Sequence, residues 1–148
     1  MLLHVAVANA QTGDDTAARR LEANADALSL EAFRWHYEPA KIQLALARSD
    51  RAELRRLVDS PALGAPRLFA FEGAAALLDA LVALGNHERI KSEAPQWVRE
   101  GTYTAPFALR ALGVARADRR LLNEAAASFE SMGLEWHCEE TRKLVSVH

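Results

Sequence analysis

One cysteine, Cys138, is all the chain has, so no disulfide can form within it and the fold does not depend on an oxidising compartment. Charge of one sign is lacking too. Eighteen Lys and Arg face twenty Asp and Glu, for a formal net charge of −2. Such a balance gives no electrostatic reason to expect nucleic acid or an anionic membrane as a partner. No apolar run approaches the roughly 20 residues needed to span a bilayer. The opening MLLHVAVANAQTG is apolar for only a few residues and lacks a basic start, so no secretory signal is expected and cytoplasmic localisation follows by default. Chemical signatures are equally sparse. There is no phosphate-cradling Gly-rich loop and no HExxH helix. Glu38, Glu72, Glu100, Glu139 and Glu140 form no sequence-evident carboxylate pair. No catalytic residue, metal or cofactor is expected.

What the chain does have is alanine and leucine, both strong helix formers, in a sequence that is half hydrophobic. Its 148 residues suffice for one domain, 1–148, with a real core. RLFAF and TYTAPF are the only strand-like stretches, and both are short and lie beside Pro66 and Pro106. The chain is read as all-α. The spacing predicts helices over about 2–12, 15–27, 31–48, 51–58, 70–84, 87–98, 103–116, 119–131 and 135–146, with turns at Ser60-Pro61, Gly64-Ala65-Pro66 and Gly101–Thr104.

Four segments share a pattern: VANAQTGDDTAARRLE, ALARSDRAELRRLV, LVALGNHERIKSEA and GVARADRRLLNEAA. Each runs from a small, apolar helix end through a polar corner into a second amphipathic run. The corners align on Asp14, Asp50, Asn86 and Asp118, at offsets of 36, 36 and 32 residues. Asp and Asn suit such corners because their side chains accept from the free amides of a new helix. Gly13 and Gly85 suit a helix end that needs positive φ. Only Asp50, with Glu53 three residues on, has the full capping-box signature. Four residues after the corners stand Ala18, Leu54, Ile90 and Leu122; eight after stand Glu22, Val58, Ala94 and Ala126, with Glu22 breaking the apolar column. Trp97 and Phe129, eleven after their corners, are expected as core plugs.

The stretches LGVARADRRLLNEAAASFESMGLEWHCEETRKL and RWHYEPAKIQLALARSDRAELRRL resemble tetratricopeptide-like helical repeats. More narrowly, they resemble the degenerate repeats of large bacterial ATP-dependent transcriptional activators and of cyclase-linked regulators. The resemblance implies an α-α superhelix of about four antiparallel hairpins plus a C-terminal capping helix. It also implies a protein-binding or regulatory role and brings no catalytic residue.

Two stretches echo each other, Trp35-His36-Tyr37-Glu38 and Trp136-His137-Cys138-Glu139. Counting back fifteen residues from each corner places Trp35, Phe71, Tyr103 and, one repeat on, Trp136 in a single aromatic column. Wedged between hairpins, such a column would bury a large apolar area without any ligand. His36 and His137 then sit three repeats apart. With helices about 10 Å across, that distance far exceeds what one metal ion can bridge. Cys138 reads as a packed residue, with Arg142 and Val145 on its face. Arg116, Arg119 and Arg120 echo Arg51, Arg55 and Arg56 as solvated helix ends, or else as a site for phosphate or an acidic peptide.

The leading expectation is a non-enzymatic scaffold that binds a protein or peptide. Its groove or interface residues would be drawn from Trp35, His36, Tyr37, Phe71, Tyr103, Arg116 and Arg120. The alternative is a ligand-sensing domain holding a small molecule in the groove. A homodimer contact is expected through the N-terminal hairpin, led by Leu2, Leu3, Val5 and Val7, or through the C-terminal helix. That last helix is expected to pack Leu134, Trp136, Leu144 and Val147 on the preceding pair.

Overall fold

A computed structural model describes residues 1–28, 34–60 and 70–147, with the side chains of residues 34–36 and 70 outside the description. The described residues are helical, with no strand among them. The helices are α1 (Leu2–Gln11), α2 (Asp15–Leu28), α3 (Arg34–Ala47), α4 (Arg51–Val58), α5 (Ala70–Leu84), α6 (His87–Glu93), α7 (Ala105–Arg116), α8 (Arg119–Ser131) and α9 (Glu135–Val147). A 3₁₀ turn, Ala94–Trp97, follows α6. The sequence reading ran one helix through residues 87–98. Pro95 has no amide to donate and breaks that run into α-helix and 3₁₀ turn. Likewise α7 starts at Ala105, two residues later than predicted, with Pro106 in its first turn. The turns predicted at Pro61 and at Gly64-Ala65-Pro66 lie outside the described residues.

One reversal motif recurs at the helix ends. Gly13, Ser49, Gly85, Ala117 and Gly133 all adopt positive φ, at 90°, 55°, 69°, 52° and 70°. The amide after each bonds a carbonyl five residues back: Asp14 to Asn9 at 2.8 Å, Asp50 to Ala45 at 2.8 Å, Asn86 to Leu81 at 3.0 Å, Asp118 to Gly113 at 2.8 Å and Leu134 to Phe129 at 2.9 Å. The left-handed residue itself bonds three back, as Gly85 does to Val82 at 3.1 Å. This is the Schellman arrangement, which satisfies carbonyls that a helix end would leave open.

At the first four corners the same residue then starts the next helix. The side chain of Asp14 accepts from the Ala17 amide at 3.0 Å, Asp50 from Glu53 at 3.0 Å and Asn86 from Arg89 at 3.3 Å. Asp118 accepts from both Arg120 at 2.9 Å and Leu121 at 3.3 Å. A single polar residue thus closes one helix and opens another. The capping box at Asp50 is half-made, because Glu53 turns its carboxylate to Arg56 at 2.6 Å.

The chain forms two compact units, Met1–Ala80 and Leu81–His148, whose boundary falls within α5. In the first, α1 packs on α2 and α3, and α3 on α4. One core cluster there gathers Leu3, Ala6, Ala18, Ala25, Ala40 and Leu44, with Leu2, Val7 and Tyr37 packed against it. Much of the α1 face expected to dimerise is therefore turned inward, while Val5 stays 47% exposed. Glu22, the break in the apolar column, accepts from Arg48 Nη1 at 2.6 Å, and Arg48 Nε donates to Asp15 at 2.6 Å. One largely buried arginine at the end of α3 so holds two carboxylates of α2.

In the second unit α7 packs on α6, the 3₁₀ turn and α8, and α8 packs on α9. Ala18, Leu54, Ile90 and Leu122, equivalent by corner counting, are all fully buried in their own surroundings. Phe129 is buried as expected, whereas Trp97 is only partly so. Gly113 matters for packing. A Cβ there would lie 2.8 Å from the Leu122 side chain and 3.1 Å from its backbone nitrogen. Glycine lets α7 and α8 approach this closely beside the corner.

Candidate binding groove

Two members of the expected aromatic column are not buried, and a third, Trp136, is half-buried with its ring 4.9 Å from that of His137. Phe71 is 54% exposed and Tyr103 41% exposed, and Tyr103 precedes α7 rather than opening it. The side chains of Trp35 and His36 lie outside the described residues. Tyr37 packs on the first unit's core. Arg116 and Arg120 are exposed, Arg120 lying 3.9 Å from both Asp118 and Glu124.

On α9 the inward residues are Cys138 and Thr141, one helical step apart, and the expected cap residue Val147 is exposed. His137 makes the ring contacts there. Its imidazole stacks on Phe129 with centroids 5.3 Å apart and meets the edge of Phe107 at 4.9 Å. Sequence reading overlooked Arg110, which is buried among these rings. Its guanidinium carbon lies 4.8 Å from the Phe129 centroid and 5.5 Å from that of Phe107. Nη1 donates to Thr141 Oγ1 at 3.4 Å, and Nη2 lies 3.5 Å from His137 Nδ1. A lone charge inside the apolar run PFALRALGV was the available signal. This cluster fastens α9 to α7 and α8 from inside.

A concave surface of this unit lies elsewhere and includes Tyr103. An open groove of about 530 Å³ has Ala105, Pro106 and Leu109 of α7 among its lining. Glu124, Ser128 and Ser131 line it from α8, at the i, i+4, i+7 spacing that puts them on one helical face, and Met132 follows. The segment Val98–Tyr103 supplies the rest, apart from Arg99. Val98, Tyr103 and Met132, at 40%, 41% and 39% exposed, are large apolar side chains left open to solvent on this one surface.

The segment before α7 is held by its own bonds. Thr102 Oγ1 donates to the Arg99 carbonyl at 2.7 Å, and the Thr102 amide bonds that carbonyl at 3.1 Å. Gly101, at φ 74°, permits the bend. The Tyr103 ring rests 5.2 Å from buried Phe107, so it is positioned by the core while remaining accessible.

Among the described residues no group of three His, Cys, Asp or Glu is placed to hold a metal ion. None of the described helices is long and apolar enough to cross a membrane. Fold and groove together define a chain whose described residues form Schellman-cornered helices, with an open groove in its second unit. Beyond that class the comparisons are silent: no protein-family model, curated protein or solved structure matches the chain.

Proposed function

We propose that the chain is a non-enzymatic, tetratricopeptide-like module that binds a segment of another protein in the groove beside Tyr103. The observation carrying this reading is the convergence of Val98, Tyr103 and Met132 on one open surface. Exposed apolar side chains scattered singly need no explanation, but a cluster in a concave site, flanked by polar groups, marks an interaction surface. The groove is open, which suits an extended or helical peptide better than a small molecule that needs walls on most sides.

A library of capped, randomised hexapeptides passed over the immobilised full chain tests the proposal. Retention is expected, with Tyr103→Ser and Met132→Ser together reducing it by about tenfold, since anchor residues dominate such interfaces. Equal retention by the folded double variant would place binding elsewhere.

A further inference from the structure

The charged groups lining the groove are all acidic. Among its lining residues Glu100 and Glu124 are the charged ones, and no Lys, Arg or His lines it. Glu100 is exposed and makes no hydrogen bond or ion pair among the described residues. Among the described residues the Glu124 carboxylate meets only the distant, 77% exposed Arg120 at 3.9 Å. Three of the lining hydroxyls, those of Thr102, Ser128 and Ser131, add to this bias because their protons are engaged. Thr102 Oγ1 donates to the Arg99 carbonyl at 2.7 Å, Ser128 Oγ to the Glu124 carbonyl at 2.9 Å and Ser131 Oγ to the Ser128 carbonyl at 2.8 Å. Each then presents lone pairs outward.

A complementary ligand must bring donors and positive charge together with apolar surface. Arginine and lysine do both, with an aliphatic stem beneath a cationic head. The Tyr103 ring and the Met132 thioether offer that stem and head a polarisable surface. We infer that the groove's ligand is a cationic peptide segment, with arginine or lysine beside an aliphatic residue, its charged head directed to Glu100 and Glu124. This rests on the peptide-binding reading and specifies the partner's chemistry.

The test uses three capped hexapeptide pools, randomised over apolar residues at four positions and fixed at the other two as Arg, Gln or Glu. Each is passed over the immobilised full chain at moderate salt. The Arg pool is expected to be retained about tenfold over the Gln pool, as two partly screened charge contacts allow. That preference should vanish in the Glu100→Gln, Glu124→Gln double variant and persist when exposed Glu72 and Glu139 are changed to Gln instead. Both carboxylates are solvent-facing, so helical circular dichroism should be unchanged. Equal retention of Arg and Gln pools, or an Arg preference that survives the Glu100 and Glu124 changes, would overturn the cationic inference while leaving peptide binding intact. Retention of no pool would overturn both.

Discussion

Ser49 and Ala117 stand where Gly13, Gly85 and Gly133 stand in the other corners, and they take the same left-handed backbone. An L-residue there meets a clash between Cβ and carbonyl that glycine avoids. Replacing Ser49 or Ala117 by glycine is therefore expected to raise unfolding free energy by about 0.5–1 kcal/mol, the strain relieved exceeding the extra freedom of glycine in the unfolded chain. Denaturant melts read this directly, and a loss in both variants would contradict the corner geometry. Gly113 predicts the opposite sign. Alanine there favours helix by ~1 kcal/mol, but its Cβ would press on fully buried Leu122 and its backbone. The clash should win, costing about 1–3 kcal/mol net. The sequence marked Gly13 and Gly85 as corner glycines from their neighbours Asp14 and Asn86. It could not mark Ser49 and Ala117, because polar and small residues carry no signature of positive φ.

At the scale of helices, ends were the most legible feature. Asp14, Asp50, Asn86 and Asp118 were readable as caps because capping needs only a short acceptor beside free amides. Asp118 bonds two such amides, so Asp118→Ala is expected to cost about 1 kcal/mol of unfolding free energy. Contacts between helices were less legible. Nothing local to Glu22 announces Arg48, which lies just past the end of α3. That cluster gives a pH expectation. Hydrogen bonds from Arg48, and then Arg19, hold the Asp15 carboxyl below its ordinary value, and Arg56 does the same for Glu53. Their contribution to stability is present above the ordinary carboxylate pKa of about 4 and is lost as pH falls through the lower folded values. Hydrogen exchange in residues 1–60 should therefore quicken as pH is lowered through this range, after correction for intrinsic rates. Arg48→Met should weaken that dependence, and an unchanged pH profile in the variant would refute the clamp.

For the whole molecule, periodicity identified helices and repeated corners, because both follow from neighbours in sequence. The site was legible only in part. Tyr103 was singled out as a column member, yet its value lies in what surrounds it: Val98 and Met132 were not singled out, and the groove exists only once α7, α8 and the preceding segment are folded together. Buried Arg110 escaped notice for the same reason, since its ring partners come from α7 and α8 and its polar ones from α9. The central claim is that the face beside Tyr103 receives another polypeptide. Site-specific photocrosslinking is its most direct measurement, with a benzophenone side chain placed at position 103, and at exposed Leu28 as the control, in extract from the native host. The account predicts a discrete protein adduct from position 103, heavier than the chain alone and suppressed by excess unlabelled protein, with no matching adduct from position 28. Identical adducts from both positions, or none from position 103, would contradict it.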